Sequence, residues 1–152
     1  MTNENKRYAL HASLGYQATL TSRVYERRLE DRLRKLGLSR LSWCLLLAVG
    51  EEKLNSPTEI ASFIGIDRTS VSRALKGMEQ DGLLSRSERH DDLRRTEVSL
   101  TSSGAALLTR AIKVGTENAA FFNAKLTPDE REQLRHLLAK LRDGEDDLLS
   151  NF

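Results

Sequence analysis

The chain has 152 residues, of which 39% are hydrophobic and 30% charged, and a formal net charge of +2. This is the size and composition of one soluble, helix-rich domain with a core, and no apolar run approaches the ~20 residues that a membrane-spanning helix needs. The single cysteine, Cys44, excludes an intramolecular disulfide framework and fits a reducing compartment. The opening MTNENKRYAL has no apolar signal core, so no export signal is expected and the cytoplasm is the expected location. Neither a tandem repeat nor a low-complexity segment interrupts the chain.

Taken in chain order, the first element is a long helix from about Tyr8 to Leu36, with Leu14, Ala18, Tyr25, Leu29, Leu33 and Leu36 along one face. Gly37 ends it, and Ser39 can cap a second helix carrying Trp43, Leu46, Leu47 and Val49. Ser56-Pro57-Thr58-Glu59 reads as a capping box with proline at the first helical position. Ile60, Ala61 and Ile64 give that helix an apolar face, and Gly65 closes it. Asp67 can cap the next helix, where Val71, Ala74, Leu75 and Met78 form one buried stripe. The opposite face carries Thr69, Arg73, Lys76 and Gln80, with Arg68, Ser70 and Ser72 at its flanks.

Gly82 closes this fourth helix. Strands are expected over Leu83–Arg89 and Arg95–Leu100, joined by the tip His90-Asp91-Asp92-Leu93-Arg94, with Val98 and Leu100 alternating against Glu97 and Ser99. Thr101 can cap a long helix running towards Phe122. Thr127-Pro128-Asp129-Glu130 repeats the start signal for a last helix with Leu134, Leu137, Leu138, Leu141 and Leu148 at helical spacing. The fold class is therefore mainly α with a small β-hairpin.

Two short helices, a tight turn and a ribbon can hold one helix in the DNA major groove and the ribbon tip in the adjacent minor groove. The run from Thr58 to Gly104 resembles the DNA-binding core of the MarR family of bacterial regulators. The family's E-[IL]-A falls on Glu59-Ile60-Ala61, and its T-V-S-R on Ser70-Val71-Ser72-Arg73, with Ser70 where Thr is commoner. Its E-x-x-G-L-[IL]-x-R falls on Glu79 to Arg86, its D-x-R on Asp92-Leu93-Arg94, and its L-T-x-x-G on Leu100 to Gly104. The resemblance implies a winged helix-turn-helix over residues 37–104, flanked by dimerisation helices over 1–36 and 105–152. It further implies a homodimer that reads a pseudo-palindromic operator in double-stranded DNA, as a repressor relieved by a small molecule.

The residues expected on DNA are Arg68, Thr69, Ser70, Ser72, Arg73, Lys76, Arg94 and Arg95, and the resemblance gives Arg94 the minor groove with Asp92 as its support. Taken singly, Arg73 and Arg94 would read as solvated charges or as partners of Glu79 and Asp92. Charge alone does not select this module. Residues 56–104 hold seven Lys/Arg against eight Asp/Glu, whereas residues 1–40 hold nine against four. Phosphate binding needs local positive charge, which the outer face of the fourth helix and the ribbon supply.

The resemblance also implies a small aromatic or phenolic anion bound between the dimer frame and the winged helix. His11, Tyr16, Arg23 and Trp43 have suitable chemistry, although each read singly is a packing, surface or interface residue.

Two other readings compete with this one. A winged helix used only for protein contact would typically lose the basic groups that Arg73, Lys76, Arg94 and Arg95 retain here. A redox switch at Cys44 is opposed by its setting in the apolar run Trp-Cys-Leu-Leu-Leu, with no adjacent Lys or Arg, where burial should raise the thiol pKa. His11, His90 and His136 lie in unrelated segments, and no metalloprotease, paired-cysteine, phosphate-loop or nucleophile-elbow motif occurs. No catalytic residue, metal or cofactor is expected.

Overall fold

A computed structural model describes residues 8–88 and 96–145. The helices are α1 (Leu14–Arg34), α2 (Arg40–Gly50), α3 (Pro57–Ile64), α4 (Arg68–Gln80), α5 (Ser102–Asn123) and α6 (Pro128–Arg142). The strands are β1 (Leu84–Glu88) and β2 (Thr96–Leu100). None of the described helices is long and apolar enough to cross a membrane.

The first helix begins later than its sequence suggests. Leu10–Ala12 form a single 3-10 turn, and the Ser13 hydroxyl accepts the Tyr16 amide at 3.2 Å, so the chain turns at Ser13 and α1 starts at Leu14. At its other end Gly37 adopts φ 74°. The Leu38 amide donates to the Leu33 carbonyl at 3.1 Å and the Gly37 amide to Arg34 at 3.0 Å, a Schellman closure.

The capping box at Ser56 is only half formed. Its hydroxyl accepts the Glu59 amide at 3.2 Å but donates to Glu59 Oε2 at 2.9 Å, so the carboxylate takes the hydroxyl instead of the Ser56 amide. Thr127 and Glu130 make the complete box at the start of α6.

β1 and β2 pair antiparallel from Leu84↔Leu100 to Glu88↔Thr96. Leu83 stays outside the strand because its backbone is committed elsewhere. Its amide closes α4 on the Met78 carbonyl at 3.0 Å, and its carbonyl accepts the Thr101 amide at 3.1 Å.

Leu33, Leu45, Leu46, Ile60, Val71, Leu75 and Leu84 are the largest fully buried side chains among the described residues. They come from α1, α2, α3, α4 and β1, so α2 is the element shared between the helix-turn-helix and the α1–α5 layer. The Val98 amide donates to the Asn55 carbonyl at 2.7 Å and ties the α2–α3 connection to the ribbon.

At the head of α5 the Thr101 hydroxyl accepts the Gly104 amide at 3.0 Å and donates to the Gly82 carbonyl at 2.6 Å. A Cβ at Gly104 would run into the Leu83 carbonyl oxygen. A backbone atom cannot swing aside, so this packing requires glycine. Gly104→Ala is expected to cost about 1–3 kcal/mol. An unchanged urea midpoint for this variant would show that the α5–ribbon junction is not close-packed.

Candidate nucleic-acid interface

The local sequence closes α4 at both ends. Asp67 Oδ1 accepts the Ser70 amide at 2.8 Å, and Oδ2 accepts the Ser70 hydroxyl at 2.6 Å. These bonds hold the Asp67 carboxyl below its ordinary pKa, the side-chain hydroxyl of Ser70 contributing most. Gly65, at φ 81°, makes the turn from α3, and Gly82, at φ 72°, ends α4.

Between these ends Val71, Leu75 and Met78 are buried against the core. The other face is open to solvent and carries Arg68, Thr69, Arg73, Lys76 and Gln80. Ser70 and Ser72 are half-buried at its edges. The Ser70 hydroxyl hydrogen is already given to Asp67, which narrows the role the sequence allowed it; to another group it can offer only its oxygen.

The alternative partner for Arg73 is taken. Glu79 accepts from Arg86 Nε at 2.7 Å and Nη2 at 2.5 Å, and this pairing holds the Glu79 carboxyl below its ordinary pKa. Arg86 belongs to β1, so the pair braces the ribbon against the end of α4. The E-x-x-G-L-[IL]-x-R spacing, which sets Glu79 and Arg86 seven residues apart across Gly82, is the sequence signal for this brace. Arg73 has no ion-pair partner among the described residues. Asp92, Arg94 and Arg95, with His90 and the rest of the expected wing tip, lie outside the described residues.

Comparison with known proteins agrees with this arrangement. A MarR family model matches residues 36–95. A mutant MarR from E. coli, solved in complex with operator DNA, is 25% identical, with 84% of this chain and 92% of that one aligned and a TM-score of 0.77. A probable transcriptional regulator from Pseudomonas aeruginosa is 26% identical over 88% of this chain and 99% of that one, with a TM-score of 0.78. An organohalide-sensing transcriptional regulator in its 2,4-dichlorophenol-bound form shares the fold at 24% identity, over 94% of this chain and 85% of that one, with a TM-score of 0.81.

The fold is that of the MarR winged-helix structures.

Within this MarR-family fold, α1 and α5 run antiparallel. Tyr25 stacks on Phe122 at 3.8 Å, and Arg32 pairs with Glu117. The four residues with ligand-like chemistry are not gathered by a single chain. Trp43 is half-buried against α5, where a Cβ at Gly115 would lie 2.7 Å from its ring, near the level of the Arg32–Glu117 pair. His11 and Tyr16 make an edge-to-face contact at 4.9 Å at the opposite end of α1, and Arg23 is exposed between them. Tyr16 and Arg32 are sixteen residues apart, about 24 Å along a helix. His11, Tyr16, Arg23 and Trp43 are therefore not adjacent within one protomer, because α1 sets Tyr16 and Arg23 apart along its length and Trp43 follows on α2.

Cys44 is half-buried, and burial pushes its thiol up to about 11. Its sequence neighbours carry no cation, but the helix brings Arg40 one turn away, close enough to lower the pKa slightly. Desolvation is the larger effect, so little thiolate exists at neutral pH. At pH 7.5, an aromatic disulfide reagent is expected to label Cys44 slowly in the folded protein and rapidly in urea. Stoichiometric labelling of the folded protein within minutes would restore the redox reading.

Proposed function

We propose that this protein is a sequence-specific, double-stranded DNA-binding transcriptional regulator that acts as a homodimer, as a repressor relieved by a small molecule. The observation that carries the reading is the outer face of α4: capped, fixed in rotation by its buried stripe, and presenting Arg73 with no ion-pair partner among the described residues and Lys76 exposed one turn on. The protein-contact alternative gains nothing from that face.

Arg73 and Lys76 have the reach for guanine O6/N7 or phosphates, while Arg68, Thr69, Ser70 and Ser72 lie near the helix N-terminus, where backbone amides also favour phosphate. Arg94 would enter the adjacent minor groove and read its width, with Asp92 as its support and Arg95 beside it. The DNA-complexed E. coli relative supports this assignment. The relative crystallised with 2,4-dichlorophenol supports an aromatic effector. A regulator of this kind works on DNA in the cytoplasm.

The domain plan is a winged helix-turn-helix over residues 37–104, held by a frame over 1–36 and 105–152. The frame supports dimerisation because α6 buries none of its described residues. Leu134, Leu137, Leu138 and Leu141 are 39–63% exposed on it, and Leu10, Leu14, Val24 and Phe121 are also open. A second copy would bury this surface and set two α4 helices ~34–36 Å apart, one turn of DNA.

Selection of bound sequences from random duplex DNA tests the reading directly. An inverted repeat with half-sites about one helical turn apart is expected, and a folded protein that enriches no sequence at low salt would overturn it. Arg73→Ala and Arg94→Ala should each weaken operator binding at least about tenfold at ~0.15 M salt with unchanged thermal stability. Wild-type affinity in either variant removes that residue from the interface. Leu137→Ala combined with Leu141→Ala should give a monomer whose operator affinity falls about a hundredfold through lost bivalency. A monomeric variant with normal affinity would refute the dimer.

A further inference from the structure

The last helix, α6, is joined to the rest of the chain by very little. α5 ends at Asn123 and α6 begins at Pro128, so Ala124 to Thr127 make the corner between them. On the α5 side the corner is anchored, because Phe122 is buried and stacked on Tyr25 at 3.8 Å. On the α6 side the complete capping box of Thr127 and Glu130 fixes how the chain enters the helix. Every residue of α6 is exposed except Arg131, which is half-buried. Its side chain reaches back across the corner. Arg131 Nη1 donates to the Asn123 carbonyl at 3.0 Å and, more weakly, to the Leu126 carbonyl at 3.4 Å.

These acceptors suit a cation. The last carbonyls of a helix lack intrahelical donors and carry the negative end of its dipole. A charged contact near the surface adds little to stability, and α6 has no buried side chain with which to hold an angle against α5. Direction is therefore what Arg131 contributes: it spans the corner as a strut between two rigid ends.

The proposed homodimer makes that direction matter. Leu134, Leu137, Leu138 and Leu141 are the open surface on which a second copy would close, so the angle of α6 to α5 decides where that copy sits. α6 has 15 residues. That is about 22 Å of helix, and a swing of about 10° at the corner moves its far end by about 4 Å. Successive base pairs are about 3.4 Å apart along the duplex. Two-fold symmetry applies the same change in both subunits.

We propose that Arg131 is a positioning residue that sets the half-site spacing of the operator. It acts through α6 and not by touching DNA. It holds α6 at one angle, and that angle holds the two α4 helices at one separation. An operator with one base pair too many is then engaged through a single half-site. The inference rests on the reading of the chain as a homodimeric DNA-binding regulator.

The test measures binding of the full-length protein to two duplexes: the inverted repeat that the wild type selects, and the same repeat with one base pair inserted at its centre. At ~0.15 M salt the wild type is expected to bind the longer duplex at least about tenfold more weakly. Arg131→Ala should narrow that difference to about threefold or less. It should remain a dimer by sedimentation at micromolar concentration and melt with the wild type. Arg131→Lys, which keeps the charge and can reach a carbonyl, should restore part of the preference. Arg135→Ala removes an equal charge from α6 away from the corner, since Arg135 pairs with Glu132 inside the helix, and should keep the wild-type preference. A dimeric Arg131→Ala that keeps that preference overturns the proposal, as does an equal loss in Arg135→Ala or a wild-type dimer indifferent to the inserted pair. A monomeric Arg131→Ala also overturns it, because the side chain would then hold the subunits together instead of setting their angle. A wild-type protein that is monomeric, or that enriches no repeat, refutes instead the homodimer reading on which the inference rests.

Discussion

The rotation of α4 about its own axis is the constraint on which the rest depends. Val71 and Leu75 are fully buried and Met78 nearly so. Turning the helix by one residue's angle, about 100°, would drag this stripe into water and drive charged side chains into the core. Burial of one large aliphatic side chain is worth about 1.5–3 kcal/mol, so the three together exceed any surface interaction on the opposite face. The outward direction of Arg73 and Lys76 is thus decided by residues that never meet a ligand. The two closures, Asp67 at the start and Gly82 at the end, fix where along its axis the helix stops.

The ribbon is positioned by the same economy of parts. Leu83 gives its amide to α4 and its carbonyl to Thr101, and Thr101 in turn caps α5 and bonds the Gly82 carbonyl. One short segment therefore joins the end of α4, the start of β1 and the head of α5. The Glu79–Arg86 pair, each partner about one-third exposed, adds orientation more than stability. Because Gly104 meets Leu83 backbone to backbone, a displacement of α5 has no soft side chain to absorb it and must pass to the ribbon. That is the physical basis for expecting the frame and the winged helix to move as coupled units.

The frame differs in character from this core. α5 buries Leu108, Ala111, Asn118 and Phe122, while α6 buries nothing among its described residues. The leucine-rich face of α6 left open in one chain is the surface on which the proposed homodimer would close.

Most of the fold was legible in the sequence because its signals are local. Ser39, Asp67, Thr101 and Thr127 cap the helices they were expected to cap, and Gly37, Gly65 and Gly82 adopt the left-handed conformations that end helices. The outer face of α4 was readable for the same reason, since a 3.6-residue period assigns both faces at once. The start of α1 was not, because periodicity continues through Tyr8 to Ser13 while the Ser13 hydroxyl stops the helix. That His11 and Tyr16 lie about 24 Å along α1 from the level of Trp43 was not legible either, because residue chemistry carries no distance. The helix ends other than the start of α1, the buried stripe and the basic face were readable from the chain alone, because all depend on neighbours within a few residues. Only the tertiary structure decided that Glu79 belongs to Arg86 and not to Arg73, that Gly104 must be glycine, and that Arg28 lies over the ring of Phe121. Those facts depend on atoms brought together across the chain, where no local pattern records the approach.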